Sequence, residues 1–362
     1  MIANRLLLIA ILVIAIGAAF APLAEEKNVS EQSLFATDEF DAPDALPSFA
    51  GANGWINTQP LTAADLRGKV VLVEFWTYSC INWLRTEPYV RAWAEKYRDK
   101  GLVVVGVHSP EFAFEKDGEN VRLAAKKLSV DYPIAIDSGH SVWRAFNNRY
   151  WPAIYVADAE GRIRYHQFGE GNYEKTEAVI QQLLTEAGAT GVAHDPVVVE
   201  GRGIEAAPDW GDVLSGETYL GYQRTENFTS LDRAVLEKAH YYYNSPSRLR
   251  LNQWSLSGDW TIGAEAIALN QAKGSITYRF HARDLHLVMG PASSGAPVRF
   301  RILIDGLPPG GAHGIDVDEQ GYGTITEPRL YQLVRQTRPI VDRQFEIEFL
   351  DRGVEAFSIT FG

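Results

Sequence analysis

The sequence predicts an α/β domain followed by an all-β domain of jelly-roll or β-sandwich type, with an N-terminal apolar anchor or signal helix in front. Three observations predict it. Strand-like and helix-like patterns alternate over residues 46–187. Period-two strands separated by Gly, Pro and Asp turns dominate residues 214–362. An unbroken apolar run fills residues 6–16, just after Asn4-Arg5.

A chain of 362 residues is long enough for two domains. Its 46% hydrophobic and 22% charged content is ordinary globular composition, not that of a disordered or fibrous chain. Lys and Arg number 34 against 46 Asp and Glu, a net charge of −12 that repels phosphate backbones and excludes nucleic acid as a partner. The single cysteine excludes an internal disulfide and any cysteine-based zinc cluster.

Taken in order, residues 1–24 form the signal or anchor segment. The apolar run resumes after Gly17 and ends at Glu25, Glu26 and Lys27. Residues 2–24 are long enough for a tilted single-pass helix, which reads as a retained anchor. The alternative is cleavage after Ala21, where Ala19-Phe20-Ala21 fits the small-x-small pattern but Pro22 is a poor neighbour. Either reading puts the remainder on the extracytoplasmic (periplasmic) side of the cell envelope, with the membrane as a partner of residues 2–24.

Residues 25–45 are acidic and aperiodic, a tether. Within 46–187, the expected order is a buried strand at 70–75, a helix at 81–99, a strand at 102–107 and a helix at 119–128. A hairpin at 154–156 and 163–166 and a closing helix at 174–186 follow. Residues 188–213 carry Gly, Ala and Pro without periodicity and read as a linker. In the all-β domain, 214–362, strands are expected at 275–280, 285–289, 298–304, 344–349 and 356–361, and one helix at 231–238.

Several aromatics stand near turns in this second domain: Tyr222, residues 241–243, Trp254, Trp260, Tyr322 and Tyr331. Most read as core. Those left exposed would offer a glycan the flat apolar faces on which sugars stack. Asp316, Asp318 and Glu319 read as a solvated acidic turn rather than a calcium loop, because a full ligand set is missing. His281 and His286, five apart, do not share a strand face, so no metal is assigned. Gly169-Glu-Gly171 lacks the glycine fingerprint of a nucleotide site, and no cofactor is expected.

The chemistry gathers at residues 70–85, read as a buried strand, a short turn and a helix. That order places Cys80 at a helix N-terminus, where the dipole and free N–H groups favour a thiolate. Pro88 falls inside the helix, and Pro152 precedes an apolar strand, a candidate cis X–Pro bond.

These pieces resemble the thioredoxin superfamily, and within it the TlpA-like branch and the soluble C-terminal region of the DipZ-type thiol-reductant proteins. The resemblance rests on Phe-Trp-Thr-Tyr-Ser-Cys-Ile-Asn (75–82), Leu-Arg-Thr (84–86), Gly-Val-His-Ser-Pro-Glu-Phe (106–112) and Arg-Tyr-Trp-Pro-Ala (149–153). It extends from about residue 46 to the C-terminus. It implies a thioredoxin-like domain, a carbohydrate-binding-module-like sandwich, and Cys80 as the attacking thiol. It also implies a Cys-x-x-Cys pair, but residue 83 is Trp. Without the resolving thiol the chain can form a mixed disulfide and cannot complete a dithiol cycle alone.

Glu74 occupies the position of the family's buried acid, and the Trp83 indole N–H is expected either to reach it or simply to fill core space. His108 would modulate the charge of the thiolate or stand as a plain loop histidine, and Tyr78 and Trp151 would either flank Cys80 as an aromatic lip or pack at the domain edge. The expected partners are protein thiols or disulfides, or a small thiol such as glutathione. The function so implied is an anchored or exported oxidoreductase-like protein with at most monothiol chemistry. The alternative is a redox-inactive envelope protein that holds a polypeptide or glycan.

Overall fold

A computed structural model describes residues 42–230, 233–243, 248–292 and 295–362. The anchor or signal segment and most of the tether lie outside the described residues. No helix among those described is long and apolar enough to cross a membrane.

The first half is a six-stranded sheet with helices: β1 (Gly54–Ile56), α1 (Ala63–Leu66), β2 (Val70–Trp76), α2 (Ile81–Tyr97), β3 (Leu102–His108), α3 (Gly118–Lys127), β4 (Ile134–Ile136), α4 (Ser141–Ala145), β5 (Ala153–Ala157), β6 (Ile163–Phe168) and α5 (Tyr173–Glu186). Sheet order is β1-β4-β3-β2-β5-β6, with β2 parallel to β3 and antiparallel to β5. All seven residues of β2 are buried, as the continuous apolar run requires of a central strand. The short β1, β4, α1 and α4 escape a periodicity reading because three to five residues are too few to show a period.

Residues 188–213 are irregular but packed, so they do not behave as a free linker. Ala189, Val192, Val197 and Ile204 lie against the α/β core, and Glu177 accepts a hydrogen bond from the Val197 N–H at 2.8 Å.

The second half is all β: β7 (Thr218–Tyr219), β8 (Ala239–Tyr242), β9 (Trp254–Ile262), β10 (Ile267–Leu269), β11 (Gly274–Phe280), β12 (Asp284–Pro291), β13 (Val298–Ile304), β14 (Tyr322–Ile325), β15 (Arg329–Arg335), β16 (Arg343–Phe349) and β17 (Val354–Phe361). They form one ladder, β14-β13-β16-β11-β9-β10-β17-β12-β15, with β7 on β17 and β8 on β9. Phe300, Ile302 and Ile347 near one end share a core with Leu285, Leu287 and Tyr331 near the other.

The helix expected at 231–238 is not found in its described part, residues 233–238. There the backbone bonds to β9 instead: the Glu237 N–H donates to the Ile262 carbonyl at 2.9 Å, and Leu236 bridges to Ile262. Pairing with a neighbouring strand overrides local helical spacing.

The two halves meet over an apolar seam. Val288, Leu330 and Phe357 of the all-β half join the α/β core, with Phe357 4.7 Å from Phe114 between ring centroids. Arg85 of α2, 3% exposed, pairs with Glu170 at 3.1 Å and donates to the Phe361 carbonyl at 3.4 Å. That contact fixes the helix bearing the cysteine to the last strand.

Candidate functional site

Strand β2 ends at Trp76 and the chain turns through Thr77-Tyr78-Ser79. The Cys80 N–H donates to the Thr77 carbonyl at 3.2 Å, and the Cys80 carbonyl accepts the first helical bond from Leu84 N–H at 3.0 Å. Cys80 is thus the N-cap of α2 and is half-buried. Its Sγ lies 3.9 Å from the Trp151 carbonyl, and the Trp151–Pro152 bond is cis. The structure therefore brings Cys80, Trp151 and Pro152 together.

The thiol is not activated in the way helix-start placement suggests. Burial pushes its pKa well up and Glu111 pushes it further, outweighing the Trp83 and Asn82 backbone N–H groups. The dipole is present, but desolvation and a nearby carboxylate win.

Trp83 is fully buried and stacks on Trp76 with centroids 4.3 Å apart. Glu74 is buried too, accepting a hydrogen bond from the Tyr132 hydroxyl at 3.1 Å. Burial lifts the Glu74 pKa to about 8, with the Trp83 indole and the Tyr132 hydroxyl pulling the other way. The indole N–H lies close enough to act on the acid, yet it makes no hydrogen bond of proper geometry, and Glu74 Oε1 has no partner. Trp83 is therefore first a packing element. Room for this arrangement comes from Gly106, opposite Glu74 on β3. A Cβ there would stand 2.8 Å from Trp76 Nε1 and 3.0 Å from Tyr132 Cε2.

Two expected site residues lie elsewhere in character. His108 is fully buried at the end of β3, its Nε2 3.5 Å from Thr77 Oγ1. Burial drops its pKa to about 3, so it is neutral and supplies no charge to a thiolate. Tyr78 is 5% exposed and stacks on His108 at 5.6 Å, with its hydroxyl 3.5 Å from the Phe114 carbonyl. It is a packing residue, not a lip. Trp151 remains half-buried at the thiol, its indole donating to the Ser109 carbonyl at 2.9 Å.

Sequence reasoning missed several contributors. Buried Glu115 accepts Ser79 Oγ at 2.5 Å and the N–H groups of Glu111 and Phe112 at 2.6 and 2.9 Å, tying the loop after β3 to the Cys80 turn. Glu87, one turn beyond Trp83, is 2% exposed, and burial raises its pKa to about 8 although Arg91 lies 2.8 Å away. From the all-β half, Tyr219 and Arg224 reach Glu111 at 2.6 and 2.8 Å. Only Glu87 had a local signal, its i+4 offset from Trp83 on one helix face.

In the all-β half, Trp254, Trp260, Tyr242 and Tyr331 are core, whereas Tyr241, Tyr243 and Tyr322 are exposed. Asp316 is engaged by Arg329 at 2.6 Å and by the Gln332 N–H at 2.8 Å. Among the described residues, no group of three or more His, Cys, Asp or Glu is placed to hold a metal ion.

The Redoxin family model matches residues 42–184, and the model described as "Thioredoxin like C-terminal domain" matches residues 215–362. Protein DipZ of Mycobacterium tuberculosis (strain CDC 1551 / Oshkosh) is 33% identical over 329 residues, covering 90% of this chain and 44% of DipZ. Thiol-disulfide oxidoreductase YkuV of Bacillus subtilis (strain 168) is 31% identical over 141 residues, covering 39% of this chain and 95% of YkuV. The chain thus spans less than half the length of the DipZ relative and almost all of the length of YkuV.

Proposed function

The chain belongs to the thioredoxin superfamily, in its TlpA/DipZ-like branch, and from that premise we propose that it is an extracytoplasmic thiol-disulfide exchange protein working through the single thiol of Cys80. Its substrates are protein thiols or disulfides, or a small thiol such as glutathione. We read it as two domains, 46–187 and 214–362, the second a β-sandwich, held at the envelope through residues 2–24.

One observation carries the reading: the sole thiol caps α2 beside the cis Trp151–Pro152 bond, and Trp83 fills the place a second thiol would need. The Cys80 thiolate attacks one sulfur of a disulfide. A new S–S bond to Sγ forms, the old one breaks, and the departing thiolate takes up a proton equivalent to the one Cys80 released. An external thiol then frees Cys80 by the same exchange, the role an internal partner would otherwise play. Because the thiol pKa is raised, exchange is slow at neutral pH and its rate climbs about tenfold per pH unit until the thiol ionises.

An insulin-type reduction assay on the wild type and on Trp83→Cys tests this. Turnover in the wild type only with added glutathione, and a single round of disulfide reduction by the pre-reduced variant with no thiol added, is the expected result. A Cys80 that no reporter disulfide modifies anywhere in a pH series carried to about 10.5, well past the ordinary cysteine pKa, refutes it.

That outcome would favour a second reading, a redox-inactive binding protein. The exposed rings of Tyr241, on strand β8, and Tyr243, just past its end, 4.9 Å apart, are its candidate contact surface for a glycan.

A further inference from the structure

The all-β half walls the thiol site. Glu111, in the loop after β3, has a side chain only 8% exposed. The Tyr219 hydroxyl lies 2.6 Å from Glu111 Oε1 and 3.0 Å from Glu217 Oε2, so one phenolic proton serves two carboxylates. Arg224 Nη1 reaches the same Glu111 oxygen at 2.8 Å, and its guanidinium lies over the Tyr219 ring at 3.6 Å. Glu265 accepts the Ala113 N–H at 3.0 Å from across the seam.

Beside this clamp runs a groove of about 220 Å³ with walls from both halves: Glu111, His140 and Trp151 on one side, Gln223, Arg224 and Glu265 on the other. A second hollow of about 370 Å³ is lined by Tyr219 and Arg224 together with Glu217 and Glu226. Trp151 is common to both, lining the groove while its carbonyl lies 3.9 Å from Sγ.

We propose that this interdomain groove is a substrate site, shaped by Tyr219 and Arg224, that selects low-molecular-weight disulfides carrying an amine near the sulfur. The proposal rests on the monothiol reading above and names its substrate class. Size argues for a small ligand, because 220 Å³ falls below the roughly 300–1,000 Å³ of pockets for drug-sized molecules. Charge argues for the amine. Glu111 and Glu265 line the groove with one guanidinium, that of Arg224, while Glu217, whose pKa burial lifts to about 7, joins Glu111 in opposing negative charge on the Cys80 sulfur. A bound ammonium offsets that field and favours the thiolate that must attack. The exchange conserves oxidation level: Sγ bonds to the amine-bearing half, the other half leaves as thiolate and is protonated, and one disulfide replaces another.

Mixed-disulfide formation on the full chain, followed by intact-protein mass spectrometry, tests the proposal with cystamine, neutral 2-hydroxyethyl disulfide and anionic dithiodiglycolate. Each rate is divided by that of the same probe with free N-acetylcysteine, which removes intrinsic reactivity. The normalised rate for cystamine should exceed that for dithiodiglycolate about tenfold or more at low salt and shrink toward parity near 0.5 M salt, where the Debye length falls to about 4 Å. Glu265→Gln should lower the ratio and Arg224→Gln should raise it. If the Arg224 variant fails to fold, the Glu265 variant and the salt series decide alone. Equal normalised rates overturn the groove's selectivity and leave the thiol reading standing. No reaction with any of the three overturns both.

Discussion

Two carboxylates, each fully buried, sit in opposite halves of the molecule and take opposite charge states. Glu74 in β2 has one hydroxyl donor and no cation on it, and burial lifts its pKa to about 8. Asp284 at the start of β12 suffers the same burial, but Arg335 and Arg283 hold it below the usual carboxylate range. Arg335 Nε reaches Oδ1 at 2.7 Å and Arg283 Nη2 reaches Oδ2 at 2.6 Å. Glu87 has one cation 2.8 Å away, the partly exposed Arg91, and still sits near 8 as Glu74 does. Burial alone does not set the charge of an acid; the count and placement of its cations do. Near the cysteine the α/β half therefore holds Glu74 and Glu87 protonated at neutral pH, whereas Asp158 and Glu177 of the same half, bonded to Arg162 and Arg164 and to Lys96, stay below the usual carboxylate range as Asp284 does.

That contrast can be broken in several ways. The largest expected effect is Trp83→Ala, which empties a fully buried indole site stacked on Trp76 and should cost about 4 kcal/mol in urea unfolding. A cost under about 1 kcal/mol would mean that packing does not hold this region. Next, Asp284→Ala leaves two guanidiniums without their carboxylate and should cost about 3 kcal/mol, less than a fully buried pair because both arginines are partly exposed.

The third effect is a slope in pH. Unfolded, Glu74 titrates near 4.5; folded, near 8. Between those values the native state holds a proton that the unfolded state has released. Stability should therefore fall as pH rises through this window, by up to about 1.4 kcal/mol per unit. Glu87 adds to the same window. Glu74→Gln should flatten part of the slope, and an unchanged slope would show that Glu74 is ionised when folded. Asp284 acts in the opposite sense. Its folded pKa is depressed, so its contribution is complete above its unfolded pKa and is lost as pH falls below about 4. Acid unfolding of Asp284→Asn should accordingly lose part of the wild-type dependence there.

Much of the site was legible because it is local. A central strand, a short turn and a helix start put Cys80 at the cap, and Pro152 stood out as a candidate cis residue before a strand, though only the β2–β5 pairing, Phe75 opposite Ala153, brings it beside the thiol. What stayed hidden depends on distant partners. Glu111 meets Tyr219 and Arg224 across 108 and 113 residues, a separation that leaves no trace in local spacing. The neutrality of His108 follows from its complete burial, and the raised thiol of Cys80 from desolvation together with Glu111, neither of which local spacing announces. The expected helix at 231–238 failed in its described part for the same kind of reason: β9 offered its backbone better partners.

The sequence by itself determined the α/β-then-β order, the place of the lone cysteine and the Trp three residues after it, because periodicity and residue identity carry these directly. Only the tertiary structure decided which acids are held protonated, that the thiol pKa is pushed up, and that Tyr219 and Arg224 of the second half meet Glu111. Those properties are set by desolvation and by groups brought together from far along the chain, and neither is written at any one position.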